Sequence, residues 1–224
     1  MAVRYKFRDE FDGPAGSAPA SHWTYALGGG GWGNNELEVY TNSRANSFLD
    51  GKSNLVIRAT KDNGVYHSAR LLSPWFAQYH GTWEARIKLN VQRGCWPAWW
   101  AMGDNMPWPQ SGEVDMLENY GGKVMETSVH TPDDAGTGAL TKSQTQPVDN
   151  NWHVWRMACN SAAFVFYKDG IPYLTAVPTD LDNWCFGNGV PLWMIANMAV
   201  GGAGGSPAST VFPIDMLIDY IRVW

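Results

Sequence analysis

Glu113-Val114-Asp115-Met116-Leu117-Glu118-Asn119-Tyr120 sets three carboxylates into a segment that reads as a β-strand. Side chains alternate between the faces of a strand, so Glu113 and Asp115 share one face while Val114 and Met116 share the other. Glu118 breaks that parity. A regular strand would send it backward into the apolar layer, where an unpaired carboxylate is costly. One extra residue at Met116 or Leu117, a β-bulge, returns it to the face of Glu113, and bulges are frequent beside active sites. The segment is therefore expected to be a bulged strand that aims all three acids into one cleft.

With the bulge counted as one step, Glu113 and Glu118 lie roughly 13 Å apart at Cα, at about 3.3 Å per step. Two glutamate side chains leaning together bring their carboxyl groups toward the ~5–5.5 Å separation of retaining glycosidases. Three close acids resist ionising together, so one should keep a proton near neutral pH, as a general acid requires. Acids alternating on a strand also suit a solvated outer face, and the neighbouring sequence separates the two readings. Gly94-Cys95-Trp96-Pro97-Ala98-Trp99-Trp100-Ala101-Met102-Gly103 precedes the acids, and Trp96 and Trp100 share strand parity. Two tryptophans alone would fit a core. Beside paired acids they point to a carbohydrate cleft, because sugar C–H faces stack on indoles.

These residues resemble the laminarinase-like branch of glycoside hydrolase family 16, whose members carry E-x-D-x-x-E on a bulged strand. The resemblance spans nearly the whole chain. Phe7-Arg8-Asp9-Glu10-Phe11-Asp12-Gly13 and Trp32-Gly33-Asn34-Asn35-Glu36-Leu37-Glu38-Val39-Tyr40-Thr41 are similar to that branch's opening strand and its N-N-E-L segment. Trp83-Glu84-Ala85-Arg86-Ile87-Lys88, Phe166-Tyr167-Lys168-Asp169-Gly170, Asn197-Met198-Ala199-Val200-Gly201-Gly202 and Ile218-Asp219-Tyr220-Ile221-Arg222-Val223-Trp224 follow in matching order.

The resemblance implies an all-β jelly-roll sandwich of two antiparallel sheets, concanavalin A-like, with a concave substrate groove and retaining hydrolysis of internal β-linkages. It implies Glu113 as nucleophile, Glu118 as acid/base and Asp115 as the residue that tunes and orients the nucleophile. It further implies sugar contacts from Asn35, Arg70, Trp96, Trp100 and His130, and, from another strand, Asn197. Asn35 beside Gly33 equally suits a turn, Arg70 a surface charge, and His130, of equal parity with Ser128, a structural histidine. Trp108 lies between Pro107 and Pro109, in a loop expected to rim the cleft. Relatives often hold a structural calcium, for which oxygens of Glu10, Gly51 and Asp219 would be candidate ligands here, and carbonyl ligands leave no side-chain signature. Retaining hydrolysis needs only carboxylates, so no cofactor is expected for catalysis. Asn119 after the second glutamate, and Trp75 and Phe76 in a connector, depart from the branch's usual pattern and leave the linkage open.

The remaining sequence sets bounds. The chain has 224 residues, enough for one sandwich, and residues 1–224 are expected to form a single catalytic domain. Asn54–Thr60, Thr82–Leu89 and Ala163–Tyr167 are strand-like, Lys168-Asp169-Gly170 is a hairpin cue, and Pro132–Val148 reads as a long loop that would set specificity. Gly28–Gly31 and Gly201–Gly205 lack the spacing of phosphate-binding loops. A net charge of −5 argues against nucleic acid and acidic membrane as partners and favours a neutral polysaccharide or oligosaccharide over a sulfated one. Thirteen tryptophans exceed the needs of the core alone, which favours sugar platforms. Cys95, Cys159 and Cys185 allow at most one internal disulfide and form no zinc or redox motif. No apolar run spans a membrane and no leader pattern opens the chain; a secreted or cell-envelope monomer is expected on family grounds. The alternatives are a lectin-like binder on the same sandwich, and a hydrolase of mixed-linkage glucan or of another β-glycan such as a galactan.

Overall fold

In a computed structural model describing residues 3–73, 80–104, 106–135, 138–186 and 191–224, alternating apolar residues zip two β-sheets together face to face. Trp83, Ala85, Ile87 and Leu89 enter the core from the Gly81–Leu89 strand, while Arg86 and Lys88 between them stay half-exposed. Opposite them, Trp99, Ala101, Val114 and Val129 point inward from three adjacent strands. Each fully buried side chain such as Leu55, Ile57 or Phe166 contributes roughly 1.5–3 kcal/mol relative to exposure.

One sheet runs Ala139–Pro147, Val124–Pro132, Glu113–Glu118, Cys95–Gly103, Leu192–Val200, Arg70–Leu72 and Thr24–Tyr25 in hydrogen-bonded order. The other runs Ile171–Ala176, Phe164–Lys168, Trp152–Cys159, Gly81–Leu89, Ile214–Val223, Leu55–Asp62, Val65–Ser68 and Glu38–Tyr40. Phe7–Asp9 adds to the final strand and Ser47–Leu49 to Leu55–Asp62. Among the described strands one pair, Glu38–Tyr40 with Val65–Ser68, is parallel; the others are antiparallel. The expected all-β jelly-roll sandwich is thus the fold.

The hairpin cue is realised: Phe164–Lys168 pairs with Ile171–Ala176 across Asp169 and Gly170, both at positive φ (51° and 81°) as a tight hairpin turn requires. The loop expected over Pro132–Val148 is corrected. Ala139–Pro147 is a strand that pairs residue for residue with Val124–Pro132. It is an edge strand with most side chains in solvent, so Thr, Lys, Ser and Gln suffice and no apolar alternation marks it. Trp75 and Phe76 lie outside the described residues. All three cysteines are free thiols. Among the described residues, no helix is long and apolar enough to cross a membrane.

Candidate active site

The bulge sits where the parity of the acids demands it. Against Cys95–Gly103, Asp115 faces Trp100 and Leu117 faces Trp99, which leaves Met116 as the extra residue. Against Val124–Pro132, Asp115 faces Ser128 and Glu118 faces Glu126, three steps on one strand against two on the other. Met116 and Leu117 are both consumed by the core. Glu118 returns opposite Ala98, on the face that Trp96 and Trp100 share. Glu113, Glu118, Trp96, Trp100, Trp108 and His130 line one cleft of about 480 Å³.

Asp115 lies beneath that lining, 1% exposed, with Oδ2 2.9 Å from Nε2 of His130. The other ring nitrogen of His130 is 2.7 Å from the Thr141 hydroxyl, so the imidazole is held at both ends. Glu118 accepts two short hydrogen bonds, from Trp96 Nε1 and from the Tyr120 hydroxyl, each 2.8 Å. Burial pushes Glu113 up to about 8, with the Asp115 charge adding, while His130 and a Trp108 hydrogen bond oppose. Burial pushes Glu118 up to about 7, against its Tyr120 and Trp96 donors and with the Glu113 charge adding. Burial, then the Glu118 charge, holds Asp115 well above the usual carboxylate range. Oδ1 of Asp115 meets no N–H or hydroxyl donor, and a carboxylate oxygen of Glu113 lies within 4.8 Å of one of Asp115. Glu113 in the free cleft thus holds a proton at least as tightly as Glu118, so the titration order does not by itself assign the two roles.

The aromatic wall is clamped rather than loose. The Arg70 guanidinium lies between two indoles, 5.0 Å from the Trp32 ring centroid and 4.9 Å from that of Trp100. Trp100 Nε1 donates to Asn197 Oδ1 at 2.8 Å, and Asn197 stands beside Arg70 in register. Trp108 is 48% exposed and rims the cleft, as its prolines suggested. Four tryptophans, Trp32, Trp96, Trp100 and Trp108, line the cleft, whereas Trp23, Trp83, Trp99 and Trp155 are core. Gly202 is pressed between this wall and the preceding loop: a Cβ there would stand 2.8 Å from Asn34 O and 3.4 Å from the Trp96 ring.

Two sequence expectations end elsewhere. Asn35 is exposed at φ 58°, a turn residue outside the cleft lining, and its neighbour Asn34 lines the cleft instead. The two carboxylates named for calcium are already engaged by arginines. Both oxygens of Glu10 accept from Arg222 at 2.7–2.8 Å and Oε1 also from Arg8, while Asp219 accepts from Arg86 at 2.7 Å. Guanidinium groups already neutralise those carboxylates, so a calcium at Glu10, Gly51 and Asp219 would have to be held through backbone carbonyls. The described His/Cys/Asp/Glu group tight enough to hold a metal is Glu113, Asp115 and His130, within 4.8 Å of one another, which is the acid cluster itself. Residues that sequence reasoning passed over are Trp32, Asn34, Glu36 and Tyr120. The first three sat inside the N-N-E-L resemblance and the last inside the opening octapeptide, but nothing in one strand's parity marks them.

A family model described as glycosyl hydrolases family 16 matches residues 33–222. The chain belongs to glycosyl hydrolase family 16. That match takes in every cleft residue named above except Trp32. Among characterised relatives, a β-glucanase of Rhodothermus marinus is 32% identical over 96% of this chain and 83% of its own length. Among solved structures, a β-1,3-glucanase from Mycobacterium marinum superposes with a TM-score of 0.88 at 39% identity, covering 100% of both chains. A pseudo β-1,3-glucanase of Mycobacterium tuberculosis superposes at 0.84 with 37% identity over 98% of each chain. Family 16 membership makes the protein a glycoside hydrolase, and family 16 chemistry proceeds without a catalytic cofactor.

Proposed function

We propose that the protein is an endo-acting β-glucanase that cleaves internal β-1,3 linkages of a neutral glucan with retention of configuration. The bulge carries this reading: it turns Glu118 toward the cleft that Glu113 lines, the arrangement double displacement needs. Glu113 attacks the anomeric carbon while Glu118 gives its proton to the departing glycosidic oxygen. The C–O bond breaks and a glycosyl ester forms on Glu113. Glu118, now a carboxylate, takes a proton from water, whose oxygen attacks the anomeric carbon and frees Glu113. Asp115, buried and steadied by His130, lies beside Glu113, where its charge tunes the nucleophile and its fixed position orients it. Trp96, Trp100 and Trp108 stack sugar rings, and Arg70 and Asn197 hold the platform in place. Residues 1–224 act as one catalytic domain, monomeric and outside the cell, where polymeric glucan is found.

Glu113→Gln tests the assignment, because it removes the nucleophile with little change of shape. Turnover of laminarin should vanish while oligosaccharide binding stays, and full activity would refute the role. Anomeric NMR on the wild type should show the β product first. A panel of laminarin, lichenan, agarose and carrageenan separates β-1,3 from mixed-linkage and galactan activity. A second reading, a glucan binder without turnover, draws support from the relatives named as a pseudo β-1,3-glucanase and as a β-1,3-glucan-binding protein of Penaeus monodon. It offers no reason for an intact Glu113, Asp115 and Glu118, and the laminarin assay decides between the two.

A further inference from the structure

The segment Asn34–Tyr40 is buried machinery that the reaction does not itself consume. It runs along the end of the Leu192–Val200 strand: Leu37 N–H donates to Val200 O at 2.8 Å, and Glu36 bridges Gly201. Alternation turns Glu36, Glu38 and Tyr40 inward, each less than a tenth exposed, and leaves Leu37 and Val39 outside. Two carboxyl groups on one buried face are costly unless a proton joins them. One oxygen of Glu38 accepts the Val200 N–H at 2.6 Å, and the other, Oε1, meets no N–H or hydroxyl donor. Glu36 accepts twice, from Asn34 Nδ2 at 3.1 Å and from the Tyr40 hydroxyl at 3.0 Å.

The direction of each hydrogen bond follows from what each group can do. Trp100 Nε1 can only donate, so Asn197 must offer it Oδ1 and turn Nδ2 toward the Tyr40 oxygen, 3.0 Å away. Tyr40, having accepted, donates onward to Glu36. Glu36 is thus an acceptor at both oxygens, and the buried Oε1 of Glu38 on the same face is left to carry a proton toward it. Burial and the hydrogen bond to Glu36 push Glu38 up to about 8, in keeping with a protonated side chain at neutral pH. At the far end of the chain, Trp100 stands directly across from Asp115 in register.

We propose that Glu38, protonated and hydrogen-bonded to Glu36, is a positioning residue for the Trp100 sugar platform, acting through Tyr40 and Asn197. The proposal rests on the glucanase reading for what the platform binds, but the hydrogen-bond chain can be measured without turnover. Glu38→Gln keeps the geometry, because its amide donates permanently to Glu36 and its carbonyl accepts from Val200. Glu38→Met keeps the length and loses both, and Tyr40→Phe breaks the chain one link later with its volume kept.

The Trp100 indole N–H resonance, assigned by its absence in Trp100→Phe, reads the chain in the intact protein. Glu38→Gln should match the wild type in shift and exchange rate. Glu38→Met and Tyr40→Phe should move the resonance and speed its exchange about tenfold, the equivalent of one lost hydrogen bond. With laminari-oligosaccharides, KM should rise about fivefold in Glu38→Met and Tyr40→Phe with kcat changed less than about twofold, and stay near wild type in Glu38→Gln. An unchanged indole resonance in both broken variants overturns the proposal, as does a Glu38→Gln protein that behaves like Glu38→Met. If the wild type fails to act on laminarin, the glucanase reading falls and the resonance still decides whether Glu38 positions Trp100. Should Glu38→Met not fold, Tyr40→Phe compared with Glu38→Gln decides the same question.

Discussion

Nε2 of His130 lies 2.9 Å from Oδ2 of Asp115, a carboxyl that is 1% exposed beneath the cleft lined by Glu113 and Glu118. The two residues come from neighbouring strands, and Glu113 faces His130 directly across the pairing. One histidine therefore touches the buried acid and sits opposite the proposed nucleophile. Its second nitrogen is fixed on Thr141, so the ring cannot swing away from Asp115 without losing that contact.

Asp115→Asn should lower kcat/KM at least tenfold, on the order expected for a residue that assists proton placement, and should move the limb of the pH profile set by Glu113 to lower pH. The sign follows from the causes at Glu113. Asp115's charge and its hydrogen bond both raise that group, which stands at about 8. Replacing the acid by an amide removes the charge and adds a donor, so Glu113 ionises more readily. A pH profile with both limbs in place would show that Asp115 and Glu113 are not electrostatically joined.

Tyr120→Phe should move the opposite limb. Its hydroxyl donates to Oε2 of Glu118 and holds that group down against burial. Without the donor, Glu118 keeps its proton to higher pH, so the limb of kcat/KM set by Glu118 shifts upward while the one set by Glu113 stays. A shift of both limbs together would argue that Tyr120 acts on substrate and not on Glu118.

Much of this site was legible in sequence because parity is a hard constraint. Glu113, Asp115 and Glu118 cannot share a face without a bulge, and Met116 is where the pairing shows it. Trp96 and Trp100 were likewise placed by a period of two. Asn35 was not, because a turn has no period; it stands in that turn at positive φ, and Asn34 lines the cleft. The Ala139–Pro147 strand was hidden because an exposed edge needs no apolar residues. The Glu38–Glu36–Tyr40–Asn197–Trp100 chain joins residues up to 157 apart in sequence, and hydrogen-bond direction leaves no mark in composition.

Trp100→Ala should raise KM for long laminari-oligosaccharides more than it lowers kcat. The indole is a half-buried cleft wall, stacked on Arg70 and tied to Asn197, and stacking of this kind is equally strong before and during bond cleavage. The cost should reach about tenfold in KM, near the worth of one aromatic stacking contact. A loss confined to kcat would mean that Trp100 acts at the transition state, through its register partner Asp115.

The carboxylates of Glu10 and Asp219 are already paired with arginines, so these side chains should hold the fold without an ion. Arg222 on the final strand grips both oxygens of Glu10 with Nε and Nη2, which pins the start of the chain to its end without metal. Glu10→Gln should therefore cost about 1–2 kcal/mol at neutral pH, a loss of several degrees for a chain of this size. The pH dependence has a definite sign. The Arg222 hydrogen bond lowers Glu10 from its ordinary value near 4.5, so the stabilisation is complete above that value and fades as pH falls through the lowered one. Wild type and Glu10→Gln should accordingly converge in strongly acidic buffer. Equal melting temperatures for wild type and Glu10→Gln at neutral pH would overturn the arginine assignment.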